Sequence, residues 1–343
     1  MFLREEDSMN NLPIPRLDKC PELRNYLLRF SRIKEGEIWI DPLGKHQIGC
    51  LDAANAVHID KIMRDEKAVL AVHDPPYNLV AFEPIELESY IRWCHQWVEN
   101  TWHALDKDAS LYVWLGADQK NGFQPFPDFM IMMRKTGFKT RSFITMRNQR
   151  GYGTHKNWMA LRQELLYYKK GNPAFNVDAE YTDIPKILRG YYKQVNGQIT
   201  ENMQRSKSPN IRAGNVWVDI QQIFYRMVEN VNGCYTQKPL KSAERIIRAS
   251  SNEGELVLDF FCHSGSTLLA SESLSRRCYT LDSDPIYCEI AIRRLERFRQ
   301  TGKTGWQNAN PFEEEMRREP KFKSLIGHIE NVADPEESQF SLV

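Results

Sequence analysis

The residues of this chain best suited to chemistry stand in one run, Asp74, Pro75, Pro76 and Tyr77. The two prolines fix φ and stiffen the turn, so the Asp74 carboxylate and the Pro75 carbonyl point in set directions. Two acceptors that converge on one point suit an exocyclic amine, which carries two N–H donors. The Tyr77 ring offers a face on which a planar base can stack. The run therefore predicts a site for an aromatic amine, with a rigid turn at a strand end as the simpler alternative.

A second group of candidates lies where a strand over 255–261 opens into a turn of small residues, followed by a helix over 267–275. Such a turn brings backbone N–H groups and a helix N-terminus close to a ligand. The next strand, 278–282, ends at Asp282, and an acid at a strand tip can accept both hydroxyls of a ribose. Turn and acid together favour a nucleoside cofactor over a plain strand–helix connection.

A third group, Thr236, Gln237, Lys238 and Pro239, directly precedes the helix predicted over 239–250. A Thr and a Lys at the start of a helix can hold a carboxylate. The alternative is an N-cap followed by a surface lysine.

In this chain order the three groups resemble an S-adenosylmethionine-dependent DNA amino-methyltransferase of the beta group, in which the catalytic motif precedes the cofactor motif. The resemblance covers residues 45–300 and implies that Asp74, Pro75, Pro76 and Tyr77 hold the target amine and stack the flipped base. It also implies an early loop, Gln47–Leu51, near the adenosine. The cofactor contacts that it implies are Cys50, Thr236, Lys238, Asp259, Phe261, His263, Ser264, Gly265, Ser266, Thr267 and Asp282.

Two positions depart from the family pattern. His263 stands where the family usually has Gly, so its side chain must point away from the cofactor or the loop must shift. The early loop usually carries an Asp, and here the nearest candidates are Gly49 and Asp52. Both departures bear on cofactor affinity, and neither removes a catalytic group.

The elements that must position these residues alternate between strand and helix, which predicts an α/β fold with a parallel sheet. The resemblance makes it a Rossmann-like methyltransferase sheet with an inserted target-recognition region. Further strands are predicted over 68–72, 110–115, 143–146 and 165–168, and further helices over 85–105, 125–136 and 285–299. The predicted domains are an N-terminal extension (1–40), a circularly permuted catalytic domain (41–171 and 233–304), the insert (172–232) and a partly disordered C-terminal tail (305–343).

Charge is segregated along the chain. The 46 basic and 45 acidic residues nearly balance, but residues 134–212 hold 16 basic and five acidic residues, a net +11 against −10 elsewhere. This predicts a face that binds a polyanion, with a solvated basic surface or a dimer surface as alternatives. The predicted DNA contacts are Arg147, Arg150, Lys156, Lys186, Arg189, Lys193, Gln204, Arg205, Lys207 and Arg212.

Composition excludes several classes of protein. With 343 residues and 41 % hydrophobic residues, the chain can bury a core and is not a disordered protein. Seven scattered cysteines without a CxxC pair argue against a disulfide scaffold and a structural zinc site. We expect no metal, no signal peptide and no membrane span, and a cytoplasmic location.

Together these features predict a sequence-specific enzyme that transfers a methyl group from S-adenosylmethionine to adenine N6 of a flipped-out nucleotide in double-stranded DNA. The alternatives are a cytosine-N4 DNA methyltransferase, an RNA base methyltransferase and an inactive DNA-binding module. By resemblance alone, the candidate protein partners are a second copy of the chain and a cognate restriction enzyme.

Overall fold

The computed structural model describes most of the chain apart from its two ends and several short internal segments. The described residues are 21–77, 85–117, 123–154, 157–185, 192–201, 208–223, 226–234, 236–307 and 309–319.

The described residues form helices at the positions predicted and at three further places. The α-helices are α1 Pro21–Leu27, α2 Ala56–Met63, α3 Leu87–Ala104, α4 Pro125–Met133, α5 Leu240–Ser250, α6 Ser266–Ser273, α7 Pro285–Thr301 and α8 Glu313–Arg318. Among them, none is both long enough and apolar enough to cross a membrane.

The strands of the described residues are β1 Ile38–Ile40, β2 His46–Cys50, β3 Ala68–His73, β4 Leu105–Trp114, β5 Lys139–Thr154, β6 Asn157–Lys170, β7 Tyr181–Pro185, β8 Tyr192–Val195, β9 Gln198–Glu201, β10 Asn210–Arg212, β11 Val216–Trp217, β12 Leu256–Asp259 and β13 Arg277–Asp282.

Nine of these strands form one sheet, in the order β1-β2-β13-β12-β3-β4-β6-β5-β11. Four central neighbours, β13, β12, β3 and β4, run parallel, so their carboxyl ends lie at one edge of the sheet.

The sheet is mixed rather than wholly parallel, which corrects the prediction. β6 runs antiparallel to both β4 and β5. The reason is the connection between β5 and β6, which pair up to Thr154 and Asn157 and so leave only two residues to join them. A parallel crossover needs a dozen residues or more. A link of two residues can therefore join only antiparallel strands.

Both faces of the sheet are covered, which is why the central strands are continuously apolar. The apolar residues of α2, α3 and α4 pack on one face, and those of α5 and α6 on the other. In α3 the buried stripe runs through Tyr90, Cys94, Trp97 and Thr101, the spacing of a helix with one apolar side. The predicted α/β architecture therefore holds the strand ends rigidly.

The segments on either side of residues 41–304 fold back onto this part of the chain. Leu23 and Leu27 of α1 lie in one buried cluster with Ile290 of α7 and Met316 of α8. The predicted extension and tail thus contain ordered helices, and residues 1–20 and 320–343 of these segments lie outside the described part of the chain.

The predicted insert contains short strand pairs and is tied to the sheet and to α5. β7 pairs with β10 and β8 with β9, whereas β11 joins the main sheet beside β5. Arg245 of α5, with a side chain only 3 % exposed, donates to both carboxylate oxygens of the buried Asp219 at 3.0 and 2.6 Å. Glu180 accepts a further bond from the same guanidinium at 3.4 Å.

We predict that Arg245→Met lowers the free energy of unfolding by about 3–5 kcal/mol, because it leaves the Asp219 carboxylate buried without its main partner. Urea unfolding measures the change. Lys241→Met is the matched control, since the half-exposed Lys241 also reaches Asp219, at 3.2 Å. An exposed partner should cost about 1 kcal/mol or less, and equal costs for the two variants would contradict the prediction.

Candidate active site and cofactor pocket

The first two motifs meet because β3 and β12 are neighbours in the sheet. His73, the last residue of β3, is fully buried, and its Nδ1 accepts a hydrogen bond from the Phe260 N–H at 3.1 Å. Its Nε2 lies 3.0 Å from the Thr101 hydroxyl, which donates to the carbonyl of Trp97. Burial lowers the pKa of His73, so the ring is neutral and Nε2 carries the proton. One imidazole therefore links the ends of both strands.

The Asp74 carboxylate is engaged by a lysine from the third motif. Lys238 Nζ lies 2.8 Å from each carboxylate oxygen and 3.2 Å from the Tyr77 hydroxyl. The ammonium also lies 5.4 Å from the Tyr77 ring centroid and 5.5 Å from that of Trp114. Burial acts to lower the pKa of Lys238, but the Asp74 carboxylate outweighs it and the pKa is raised. Asp74 and Lys238 thus form an ion pair in which Lys238 is buried and Asp74 is partly exposed, beside the rings of Tyr77 and Trp114.

The turn after β12 is shaped by its backbone. Asp259 accepts a hydrogen bond from the Phe261 N–H at 2.9 Å, which fixes the first bend. Gly265 has φ +75°, and a Cβ there would lie 3.0 Å from the Cβ of Ala291 on α7. A side chain at this position would therefore be strained and crowded.

His263 occupies a left-handed conformation, with φ +44°. Glycine adopts this conformation without penalty, which explains the family preference at this position. The His263 N–H donates to Asp282 at 2.9 Å, and the ring packs against Tyr287 with 4.7 Å between centroids. The His263 ring thus contacts α7 while the residue still lines the pocket, and its effect on cofactor affinity stays a prediction.

A buried arginine also stabilises the turn after β12. Arg294 of α7 is fully buried and donates to the carbonyls of Ser264, Thr304 and Glu229 at 2.8, 2.7 and 3.1 Å. Burial lowers the pKa of Arg294 to about 10, which still leaves it charged at neutral pH. Ser264, which the resemblance assigned to the cofactor, thus has its carbonyl held by Arg294 while the residue still lines the pocket.

Asp282 ends β13 beside the turn. Its carboxylate accepts hydrogen bonds from the backbone N–H groups of His263 and Asp284 at 2.9 and 3.0 Å. A carboxylate has about four acceptor positions, so capacity for two more donors remains. Burial raises the pKa of Asp282 to about 7, with the two backbone donors opposing that rise.

Asp74, Lys238 and part of the turn after β12 line one pocket, whereas Pro75, Pro76, Tyr77, Gly265 and Asp282 are not among its lining residues. The Cys50 side chain is buried next to β13, its Sγ 3.7 Å from the Ser283 carbonyl, and Thr236 is exposed beyond the pocket. Ser266 lines the pocket and donates to the Lys238 carbonyl at 3.2 Å. The pocket is lined by Val72, Asp74, Trp114, Lys238, Ser242, Ala243, Asp259, Phe261, Cys262, His263, Ser264, Ser266 and Thr267.

Of the predicted DNA contacts, the structure describes the side chains of Arg147 on β5 and Arg212 on β10, and both are exposed. Arg150 and Lys193 lie on β5 and β8, but their side chains are not described. The remaining predicted contacts lie outside the described residues: Lys156, Lys186, Arg189, Gln204, Arg205 and Lys207.

Sequence reasoning missed three residues that build this site, Trp114, His73 and Arg294. Trp114 carried a signal that could have found it, because it falls at the carboxyl end of a predicted strand, where ligands bind in parallel sheets. His73 directly precedes the catalytic run, but nothing in its type shows that it bonds across to β12. Arg294 reads as one of several charges on an amphipathic helix.

Comparisons with known proteins agree with this geometry. Residues 69–293 match the DNA methylase family of N6 and N4 enzymes. The chain is 28 % identical to the type II methyltransferase M.HpaI of Haemophilus parainfluenzae, covering 72 % of this chain and 74 % of that protein. It is 30 % identical to M1.MboII of Moraxella bovis, covering 72 % and 94 %. The solved PvuII DNA methyltransferase (cytosine-N4-specific) shares the fold, with TM-score 0.50, 17 % identity and coverage of 72 % and 85 %.

We predict a pH-dependent stability difference between the protein and its Asp282→Asn variant. Because burial raises the Asp282 pKa from 3.8 to about 7, the folded state binds this proton more tightly than the unfolded chain does. The resulting stabilisation is complete below the unfolded value and is lost as pH rises through 7. As pH rises from 4 to 8, urea unfolding should show the free energy of unfolding of Asp282→Asn increasing relative to that of the wild type. The difference between the wild type and Asp52→Asn, a variant at an exposed position, should stay constant. A constant difference for Asp282→Asn would contradict the prediction.

Proposed function

This chain belongs to the N6/N4 DNA methylase family, whose members take a methyl group from S-adenosylmethionine, and we propose that it methylates adenine N6 at a specific sequence in double-stranded DNA. The observation that carries the proposal is the shared pocket. Asp74, which can bind an amine, lines the same cavity as Phe261 and Ser266 of the nucleotide-type turn. The target atom is buried in a duplex, so the nucleotide must leave the stack to reach this pocket.

The task of the catalytic run is to hold the amine. The lone pair of an aromatic amine is delocalised into the ring, which makes the nitrogen a poor nucleophile. Hydrogen bonds from its two N–H groups to Asp74 and to the Pro75 carbonyl favour a tetrahedral nitrogen with a localised lone pair. Rate enhancement then comes from positioning and electrostatics.

Lys238 keeps the Asp74 carboxylate ionised and oriented. A buried carboxylate without a cation tends to take up a proton, and a protonated Asp74 would lose acceptor capacity. Each oxygen bonded to Lys238 retains a second lone pair, so the pair leaves room for the amine. Lys238 also donates to the Tyr77 hydroxyl, which orients the ring proposed to stack on the base.

The residues of the turn suit S-adenosylmethionine, which when bound supplies an electrophilic methyl group on a sulfonium. Asp282 has acceptor positions left for ribose hydroxyls, and Phe261 gives an apolar wall packed against Trp93 and Trp97. The resemblance placed Lys238 at the methionine carboxylate. Its contacts instead support a position on Asp74, so the two roles need to be separated experimentally.

Target recognition is assigned to the insert, 172–232. Its exposed Arg212 and the basic character of residues 134–212 support contacts to phosphates and base edges. We extend the proposal to a cytoplasmic enzyme that can pair with a second copy of itself and with a cognate restriction enzyme.

Cytosine N4 is the second candidate target, because the PvuII enzyme with the same fold is cytosine-N4-specific. Asp at the first position of the catalytic run supports adenine by family resemblance. The test incubates the protein with unmethylated plasmid DNA and S-adenosylmethionine carrying a labelled methyl group, then digests the product to nucleosides. Label on N6-methyl-2′-deoxyadenosine supports the proposal, label on N4-methyl-2′-deoxycytidine supports the alternative, and no label contradicts both.

In the same assay we predict that Asp74→Ala reduces methyl transfer by at least about 10³-fold, since it removes the acceptor that holds the amine. Cofactor binding, measured by calorimetry, should persist because the turn after β12 is built by other residues. Asp74→Asn is the isosteric control for packing. Substantial turnover by Asp74→Ala would show that this carboxylate is not the amine acceptor.

We predict that Lys238→Met lowers kcat at neutral pH by about 10²-fold and moves the acidic limb of the pH–rate profile upward. Burial already raises the Asp74 pKa against the opposing effect of the ammonium, so the loss of Lys238 raises it further and the carboxylate protonates at higher pH. Lys238→Arg, which keeps the charge, should leave the limb in place. If the variant instead raises the KM for the cofactor and leaves the limb unmoved, Lys238 serves the methionine carboxylate.

A further inference from the structure

The β5–β6 hairpin projects beyond the sheet at the edge that carries the site. β4 and β6 are antiparallel, and their pairing ends at Trp114 opposite Leu165. Because β4 ends at the site, the part of β6 before Leu165 continues past it. From Leu165 back to Trp158 this amounts to roughly 23 Å of strand, at about 3.3 Å per residue. We refer to the described residues of this segment, 147–154 and 157–162, as the overhang.

The overhang carries an exposed aromatic residue near its tip. Trp158 leaves 92 % of its surface exposed, and the adjacent Met159 leaves 52 %. Tryptophan is usually highly buried, so this degree of exposure is unusual. The exposed ring offers a flat apolar face on which a planar group can stack.

The same face of the overhang is basic. Side chains alternate along a strand, so Trp158 and Arg162 of β6 share one face. Arg147 is paired directly opposite Arg162, and directly opposed residues point to the same side. Arg162 is 56 % exposed, and the buried Glu164 carboxylate at 3.0 Å neutralises part of its charge. Arg147 is exposed as well, so the two arginines still offer positive charge to an anion.

We propose that the overhang is a DNA-contacting finger, in which Trp158 stacks on a base beside the vacated position of the flipped nucleotide while Arg147 and Arg162 contact phosphates. The inference rests on the proposed function and adds to it a residue that compensates for unstacking. Stacking on an aromatic side chain suits any base. A finger about 20 Å long is comparable to the width of a duplex lying over the pocket.

The charge of the overhang favours DNA over a second copy of the chain as its partner. An overhang that docked on the overhang of a second copy would bring Arg147 and Arg162 against their own copies, which adds repulsion. A polyanion that presents both phosphates and apolar base faces satisfies arginines and tryptophan together.

The test compares Trp158→Ala with Met159→Ala, a matched control on the opposite face. After modified-base sequencing of the plasmid product has mapped the site, two 30-base-pair duplexes are made, one fully paired and one mismatched at the target base. We expect Trp158→Ala to reduce kcat/KM on the paired duplex by about tenfold to hundredfold and to lose much less on the mismatch, which is already unstacked. Met159→Ala should change both by less than about threefold.

Three outcomes would overturn the inference. Equal losses on both duplexes would show that Trp158 does not compensate unstacking. Losses equal to those of Met159→Ala would show that it does not contact DNA. Conversion of a dimer to a monomer in light scattering, with the paired-duplex loss abolished at concentrations that restore the dimer, would make it a self-association residue. Methylation by the wild type is measured first, so a failure of the proposed function shows there and not in the variant.

Discussion

The ion pair between Asp74 and Lys238 is the interaction on which the site depends, because it joins groups 164 residues apart in the chain. It places a cation on the proposed acceptor of the amine. It also fixes the start of α5 against the end of β3. Lys238 is buried and Asp74 is 27 % exposed, so the pair is partly desolvated, at a cost that the attraction between the two charges has to offset.

Buried residues around the ion pair fix the strand end and the turn that flank it. His73 locks the end of β3 to the first residue after β12, and Arg294 holds the following turn through backbone carbonyls. Gly265 lets α6 approach α7, while His263 takes a left-handed conformation that glycine would adopt more cheaply. The cofactor turn is therefore shaped by backbone and buried polar groups, and its surface remains for a ligand. Such preorganisation suits chemistry that relies on positioning.

The antiparallel hairpin gives the fold something that a wholly parallel sheet would lack. Strands joined by helical crossovers end together at one edge, whereas a hairpin can continue beyond its neighbours. β5 and β6 do so at the edge where Asp74 and Trp114 lie. The fold thus places the basic overhang beside the pocket. The overhang belongs to residues 134–212, the segment with the net positive charge.

The sequence alone determined the parts that depend on local pattern. Continuous apolar runs identified β3 and β12, and the runs Asp74–Tyr77 and Asp259–Gly265 indicated amine and nucleotide chemistry because their residue types carry it directly. Only the tertiary structure decided which groups meet. Lys238 contacts Asp74, Arg294 supports the cofactor turn, and β6 reverses direction, since each outcome depends on packing or pairing between distant segments. Local periodicity does not indicate which distant segments pack or pair with each other. The extension of the β5–β6 hairpin past the site is therefore seen only in the register of the folded sheet.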